Sequence, residues 1–362
     1  MKTKILYFAT RSICGGVAIH LLELLKHLGG SFQCGLAVGA EGFLTEQARQ
    51  LGVDIFVVPE MVAHLDPWND CRAIETAKHV IGDYAPDVVH AHMSKAGIIA
   101  RLAARLAGVP SVFTAHGWAF APERPLSDRI VGIPAEKLCA RICRKIIVVS
   151  DHDRSLSLER NVAPPSKVEV VYCGISDSAL RARPDVADPV TLVMPARFDK
   201  PKDQALLIQI LPHLPKHARL LLVGDGPSRQ DCEELTRRLQ ITDRVQFLGT
   251  SDRVAEILAE SHIFVLTSNW EGLPISILEA MRAGLPVVSS DVGAIHEAVV
   301  QAEGGFLVPR GDGEALISKL SLLIQSPHLR AEMGHFNRQR YREVFTVERM
   351  VGAVQQIYCS RN

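Results

Sequence analysis

The sequence predicts an α/β protein built from two doubly wound parallel sheets, each in its own domain. Three observations carry this. Short apolar runs of strand length alternate with helix-period segments from the first residues onward. The alternation halts in a polar stretch with two prolines near the middle of the chain and then starts afresh. A length of 362 residues, 47% of them hydrophobic, is enough for two cores of ordinary size.

The first apolar run, Lys4–Ala9, stops at TRSICGG and is followed by 17–28, where Ile19, Leu22 and Leu25 mark a helix face: strand, glycine turn, helix. Strands follow at 34–38, 54–58, 88–91, 111–114 and 145–149, with helices such as 43–51, 72–81 and 95–106 between them. After a strand at 168–171 comes the polar stretch 176–189, read as an interdomain linker, with the boundary near Ala187: residues 1–187, then 188–362. The second half repeats the pattern with strands at 191–194, 220–223, 245–247, Ile263–Leu266 and 286–289. In open sheets of this class ligands bind beyond the carboxyl ends of the strands, so two facing halves would share one cleft.

The richest stretch is TSNWEGLPISILEAMRAGLPVVSSDVGAIHE, 267–297. A loop with Glu271, Gly272, Leu273 and Pro274 feeds a helix from Ile275 to about Ala283, which Gly284 stops. Such a helix start offers backbone N–H groups and a positive dipole end to an anion, most naturally a phosphate. Glu271 and Glu279, eight residues apart, put one carboxylate in the loop and the other about a turn into the helix, roughly 6 Å past its start. A carboxylate beside a phosphate accepts hydrogen bonds from sugar hydroxyls, which points to a nucleotide sugar. The bare spacing equally fits an amphipathic helix with Ile277, Leu278 and Met281 in the core and two solvated glutamates.

Other features sit at strand ends. Gly15 and Gly16 follow the first strand, where a backbone without side chains admits a ligand or simply turns. His116 in THGW follows the strand 111–114. Arg197 and Lys202 in ARFDKPKD follow the first strand of the second half, and a diphosphate needs such a cationic clamp. VGDGPSR has Arg229 where a third glycine would complete a dinucleotide fingerprint, and no acidic residue ends the next strand, so NAD is disfavoured.

Composition removes several classes. Forty basic and forty acidic residues leave no net charge, which argues against nucleic acid as a partner. Cys139 and Cys143 lack a second ligand pair, and Asp151-His152-Asp153 better caps the helix that follows it, so no metal is expected. No apolar stretch reaches the roughly 20 residues of a membrane span, and the start lacks a signal core, so a cytoplasmic protein is expected. Between 101 and 145 eight basic residues meet three acidic ones, a local excess that suits peripheral contact with anionic lipid.

EGLPISILEAM, followed by GLPVVSSDVG and Glu297, resembles the E-x7-E signature of the retaining family 4 glycosyltransferases, which have the GT-B fold. That resemblance implies Arg197 and Lys202 on the donor diphosphate, Gly272, Leu273, Pro274 and Ile275 at the phosphates, and Glu279 on the ribose. It puts Glu271 by the transferred sugar, His116 on that sugar, and Gly15 and Gly16 near the donor phosphate and the acceptor. It also implies that the last helix, 347–358, packs on the first half. SKAG at 94–97 and TAHGWAF are similar to bacterial members that build lipid-linked surface polysaccharides. Departures are CGIS at 173–176, where many relatives have Asn-Gly-Val-Asp, and GAIHE at 293–297, where Gly-Gly-Ile-Pro-Glu is common.

The expectation is therefore a metal-independent retaining glycosyltransferase with no cofactor, using a UDP- or GDP-sugar donor and a saccharide or lipid-linked acceptor. Its rivals are a nucleotide-sugar epimerase of the same fold and a non-enzymatic sugar-nucleotide-binding subunit.

Overall fold

The computed structural model describes residues 2–360 except Ala63, Leu65, Glu123, Pro125, Ala187 and Asp188. The chain falls into two compact units, Met1–Gly174 with Val347–Asn362, and Ile175–Thr346. In the first, seven parallel strands are described: β1 (Lys4–Ala9), β2 (Gln33–Val38), β3 (Asp54–Val57), β4 (Val88–His92), β5 (Ser111–Ala115), β6 (Lys145–Val148) and β7 (Val168–Val170), in the order β3-β2-β1-β4-β5-β6-β7. Between them run α1 (Gly16–Leu28), α2 (Phe43–Gln50), α3 (Pro67–Tyr84), α4 (Ser94–Ala107), α5 (Leu126–Ile142) and α6 (Asp151–Glu159).

Both faces of this sheet are covered, which is why its strands read as unbroken apolar runs. Leu6 and Phe8 pack into one core with Ala77, Ile81, Ala100 and Ala103, while Ile5, Tyr7 and Ala9 join Leu21, Leu24, Leu25 and Leu28 of α1 in the other. Each fully buried aliphatic side chain contributes about 1.5–3 kcal/mol.

The second unit holds a six-stranded parallel sheet: β8 (Val190–Pro195), β9 (Ala218–Val223), β10 (Val245–Gly249), β11 (Ile263–Leu266), β12 (Val287–Ser290) and β13 (Gly305–Val308), ordered β10-β9-β8-β11-β12-β13. Its helices are α7 (Gln204–Ile210), α8 (Arg229–Arg238), α9 (Val254–Ala259), α10 (Ile275–Ala283), α11 (Ile295–Ala298), α12 (Gly313–Gln325) and α13 (Pro327–Val344). The last helix, α14 (Val347–Cys359), belongs to the first unit: Val347, Met350, Val351, Val354 and Ile357 form an apolar stripe in the α1 core, and the Tyr358 hydroxyl donates to Tyr7 Oη at 3.0 Å.

Two sequence expectations need correcting. Over its described residues 176–186 the stretch expected as a linker is no free linker but part of the second unit. Arg338 holds the Asp177 carboxylate through both terminal nitrogens at 2.8 and 2.6 Å, Ala182 N donates to Ala283 O, and buried Arg330 donates to Pro184 O. Asp177 and the Pro184 carbonyl tie it down through arginines while Arg181, Arg183 and Asp185 stay exposed, and the units part at Gly174 and Ile175; the expected boundary at Ala187 lies outside the described residues. The strand expected at 286–289 is shifted one residue, because Pro286 offers only its carbonyl, which accepts from Phe264 N at 3.0 Å.

In each sheet the strand order reverses beside the unit's first strand, between β1 and β4 and between β8 and β11. Loops diverge there, leaving a crevice beyond the carboxyl ends of the two strands. The candidate residues come from these loops and from that after β5. Among the described residues no helix is long and apolar enough to cross a membrane.

Candidate active site

In the second unit the loop after β8 carries Arg197 and Lys202. It is set from below by the turn after β9: Gly224 and Gly226 have φ of +135° and +151°, and a Cβ on either would come within 2.3 Å of Ala196 O or 2.4 Å of Phe198 O. The VGDGP glycines thus serve to pack one loop against another. The Gln204 side-chain amide donates to Arg197 O at 2.8 Å, and Asp203 N donates to Thr267 O at 3.0 Å, which ties this loop to the one after β11. Arg197 itself is half-exposed and pairs with Asp199 at 3.2 Å.

The loop after β11 presents Glu271. Lys202 Nζ and Ser268 Oγ both donate to Glu271 Oε1, and the Lys202 and Glu271 side chains are 16% and 11% exposed. From the other side Gly293, at φ +57°, lies so close that a Cβ would stand 2.0 Å from Glu271 O. The departure from the common Gly-Gly-Ile-Pro-Glu therefore keeps the glycine that this contact requires. Beyond Glu271, Pro274 is the N-cap of α10, with φ −68° and ψ 122°; no side chain caps the helix and its first turn holds no acidic residue. Ile277 N already donates to Pro274 O at 3.1 Å, which leaves the N–H groups of Ile275 and Ser276 as those an anion could take. Ile277, Leu278, Ala280 and Met281 are buried, whereas Glu279 is intermediate in exposure, on the side of α10 turned from the core.

In the first unit Gly15 is the N-cap of α1, with φ 165°, extended backbone open to any residue, and a Cβ there would meet nothing within 4 Å. No crowding and no backbone strain demand this glycine, and what it leaves is open space at an uncapped helix start. Gly16 opens the helix itself. Downstream on α1, His20 lies edge-on to His116, their ring centroids 4.7 Å apart. His116 follows β5, and its Nε2 is 3.0 Å from His92 Nδ1. His90 hydrogen-bonds the Tyr358 hydroxyl through Nδ1 and Thr114 Oγ1 through Nε2, the latter at 2.8 Å.

Burial keeps these imidazoles neutral. It lowers His20 to about 4, and with the charge of His20 it lowers His90 to about 3; burial and neighbouring imidazoles hold His92 and His116 well below the usual range. His116 can thus exchange a hydrogen bond with a substrate hydroxyl but brings no positive charge. Cys173, beyond β7, is pushed up to about 12 by burial and the Asp153 carboxylate.

Of the residues singled out in the sequence, Lys202 and Glu271 meet directly, Gly272, Leu273, Pro274 and Ile275 lead from Glu271 into α10, and Glu279 follows on that helix. Sequence reasoning missed Ser268, three residues from the Glu271 it meets, and Gly293, His20 and His92, which act through contacts between distant segments. The Asp-His-Asp motif starts α6, where Ser150 is the N-cap and its Oγ accepts from Asp153 N at 3.0 Å. Cys139 and Cys143 are buried in the first unit. The basic stretch is thinner than counted. Arg101 is fully buried against Glu136 at 2.7 Å, Lys145 pairs with Glu169, and Arg144 donates to Ile357 O; Glu123 and the Asp128 side chain lie outside the described residues. In their place α5 exposes Leu126, Ile130, Val131 and Leu138.

A family model described as glycosyl transferases group 1 matches residues 178–340, and one described as Glycosyltransferase Family 4 matches residues 14–179. The Bacillus subtilis (strain 168) protein EpsF, named as a glycosyltransferase, is 30% identical over 342 residues, covering 86% of this chain and 84% of that protein. The UDP-Gal:alpha-D-GlcNAc-diphosphoundecaprenol alpha-1,3-galactosyltransferase of Escherichia coli is 26% identical over 378 residues, covering 99% and 97%. Among solved structures, Anabaena Alr3699/HepE in complex with UDP-glucose has a TM-score of 0.86 at 22% identity, covering 98% of each chain. WaaG, a glycosyltransferase involved in lipopolysaccharide biosynthesis, has a TM-score of 0.78 at 16% identity, covering 98% of this chain and all of that one.

Proposed function

We propose that this chain, which belongs to glycosyltransferase family 4 and has the GT-B fold, transfers a sugar from a nucleoside diphosphate sugar to a hydroxyl of a lipid-linked saccharide, with retention at the anomeric carbon and without a catalytic metal. The observation that carries this reading is the Lys202–Glu271 pair beside the uncapped start of α10, at the carboxyl edge of β8 and β11. A cation, a carboxylate and free helix N–H groups are what a diphosphate joined to a sugar calls for.

In this proposal the diphosphate takes the N–H groups of Ile275 and Ser276 and the charges of Arg197 and Lys202. The anomeric C–O bond to the β-phosphate breaks, the acceptor oxygen bonds to the same carbon, and the acceptor proton leaves with the phosphate or solvent. Charge that develops on the departing phosphate meets donors already in place, the kind of preorganised electrostatics that usually dominates such transfers. Glu279 accepts from the ribose hydroxyls. Glu271, Gly15, Gly16 and His116 are assigned to the transferred sugar and its acceptor.

A UDP-sugar is the first donor to try, since the Escherichia coli relative is named for UDP-Gal and the Anabaena structure holds UDP-glucose; GDP-sugars come second. Their names also favour bacterial polysaccharide or lipopolysaccharide synthesis as the setting. The exposed leucine, isoleucine and valine side chains of α5 favour peripheral contact with a membrane surface, and Lys137 and the exposed Arg141 on the same helix favour an anionic one.

Incubating the purified protein with each UDP- or GDP-sugar, with and without a polyprenyl-diphosphate saccharide, tests the reading. Acceptor-dependent release of the nucleoside diphosphate supports it. Donor consumed without acceptor would favour the epimerase, and binding without turnover the non-enzymatic subunit.

A further inference from the structure

We propose that His20, His116 and Cys173 form a binding site for a thiophilic divalent cation such as Zn²⁺, and that the bound cation withholds His116 from the transfer reaction. The first statement stands on geometry alone. The second rests on the role proposed for His116.

Their nitrogen and sulfur donor atoms all lie within 4.8 Å of one another. His20 is 3% exposed, and among the described residues neither of its ring nitrogens has a hydrogen-bond partner. A buried polar ring with both nitrogens unpaired is unfavourable and calls for a ligand. His116 is oriented by His92 through one ring nitrogen, at 3.0 Å, as metal-binding histidines are commonly held by an outer partner. Two imidazoles and a thiolate suit Zn²⁺, with a fourth position left for water or a ligand.

Zn–N bonds of about 2.0–2.1 Å and Zn–S bonds of about 2.3 Å place tetrahedral donors roughly 3.3–3.8 Å apart. The three side chains would have to draw in by about 1 Å. On binding, the Cys173 S–H bond breaks, sulfur bonds the metal, and the proton goes to solvent, so affinity falls as pH falls. The ligands come from α1, from the end of β5 and from beyond β7, and no sequence spacing marks them. The expectation of no metal weighed only Cys139 with Cys143 and Asp151-His152-Asp153, each a local pattern.

The test uses the full chain freed of metal with a chelator. Zn²⁺ is titrated in competition with a chromogenic chelator, and Co²⁺ is added separately to read the thiolate-to-cobalt charge-transfer band in the near ultraviolet. Expected are one saturable ion per chain and a band that is lost in Cys173→Ser. His20→Gln should weaken Zn²⁺ binding at least tenfold, and Cys71→Ser with Cys359→Ser, which removes the two exposed thiols, should leave binding unchanged. A wild-type chain with no saturable binding and no band, or a band that survives Cys173→Ser, overturns the site. Inhibition of transfer by Zn²⁺ that is relieved in Cys173→Ser supports the second statement, and equal inhibition of both proteins overturns it. Zn²⁺ binding as described, in a protein that turns over no donor, would overturn the proposed function and leave the site standing.

Discussion

Lys202 and Glu271 come from loops after different strands and form an ion pair at the carboxyl edge of the second sheet, with Ser268 on the same carboxylate oxygen. The lysine expected to hold a diphosphate therefore already has an anionic partner. The pair keeps both groups in place and mostly out of solvent. On the proposed function, a donor phosphate would compete with Glu271 for the ammonium.

Residues that act as a pair show large coupling. Lys202→Ala and Glu271→Gln should each lower kcat/KM by more than tenfold, with Glu271→Gln acting mainly on kcat. The double variant should lose less than the product of the two, by about 0.5–3 kcal/mol of coupling. Steady-state kinetics of the three variants measures this. Strict additivity would mean that the two groups serve independent ends.

Gly293→Ala should damage the site without touching Glu271 itself. Its Cβ would stand 2.0 Å from Glu271 O at a φ of +57°, so the Glu271 loop must move. Since a displacement of about 1 Å can cost on the order of a hundredfold in rate, kcat should fall by at least tenfold. The circular dichroism of the folded chain should be retained. Normal turnover would show that the Glu271 loop tolerates displacement.

The Asp177–Arg338 contact gives the second unit an acid-sensitive tie. Arg338 holds the Asp177 carboxyl down at about 2, below the usual 3.8. A depressed carboxylate stabilises the fold at pH values above the unfolded pKa, and its contribution is lost as pH falls from about 4 to 2. Asp177 is half-exposed, so the loss is screened and amounts to less than about 1 kcal/mol. Denaturant midpoints should fall for Asp177→Asn at pH 7, and the difference from wild type should close toward pH 2. A constant difference would assign the loss to something other than charge.

The face of α5 supplies a test of membrane contact. Leu126, Ile130 and Leu138 are exposed at 66%, 64% and 55%. Vesicles with anionic lipid should sediment the protein at low salt, and Ile130→Glu with Leu138→Glu should abolish this while leaving transfer to a water-soluble acceptor analogue unchanged. Equal sedimentation of wild type and variant would remove α5 from the contact.

Much of the fold was legible because both sheets are parallel and covered on both faces, so that β1 or β11 reads as an uninterrupted apolar run. β13 was not, since it opens on Gly305, whose φ of +158° lets the backbone lie against Val287 O, and a four-residue strand with a glycine carries little pattern. In the site, the start of α10 showed in Gly272, Leu273 and Pro274 because turn and cap chemistry is local. The Lys202–Glu271 pair did not, because 69 residues separate the partners. His20 was silent for another reason: on an apolar helix face it looks like core, and only the fold sets it against His116.

The central claim is that the second unit binds a nucleoside diphosphate through Lys202, Arg197 and the α10 helix start, with Glu279 on the ribose. Calorimetric titration of the wild-type chain with UDP, and with GDP as alternative, tests this most directly. One of the two should bind at a single site, and Lys202→Ala should weaken it roughly thirtyfold, the loss of one charge-assisted contact of about 2 kcal/mol. Arg197→Ala and Glu279→Gln should each weaken it at least several-fold. Failure of both diphosphates to bind, or equal affinity in the wild type and all three variants, would contradict the account.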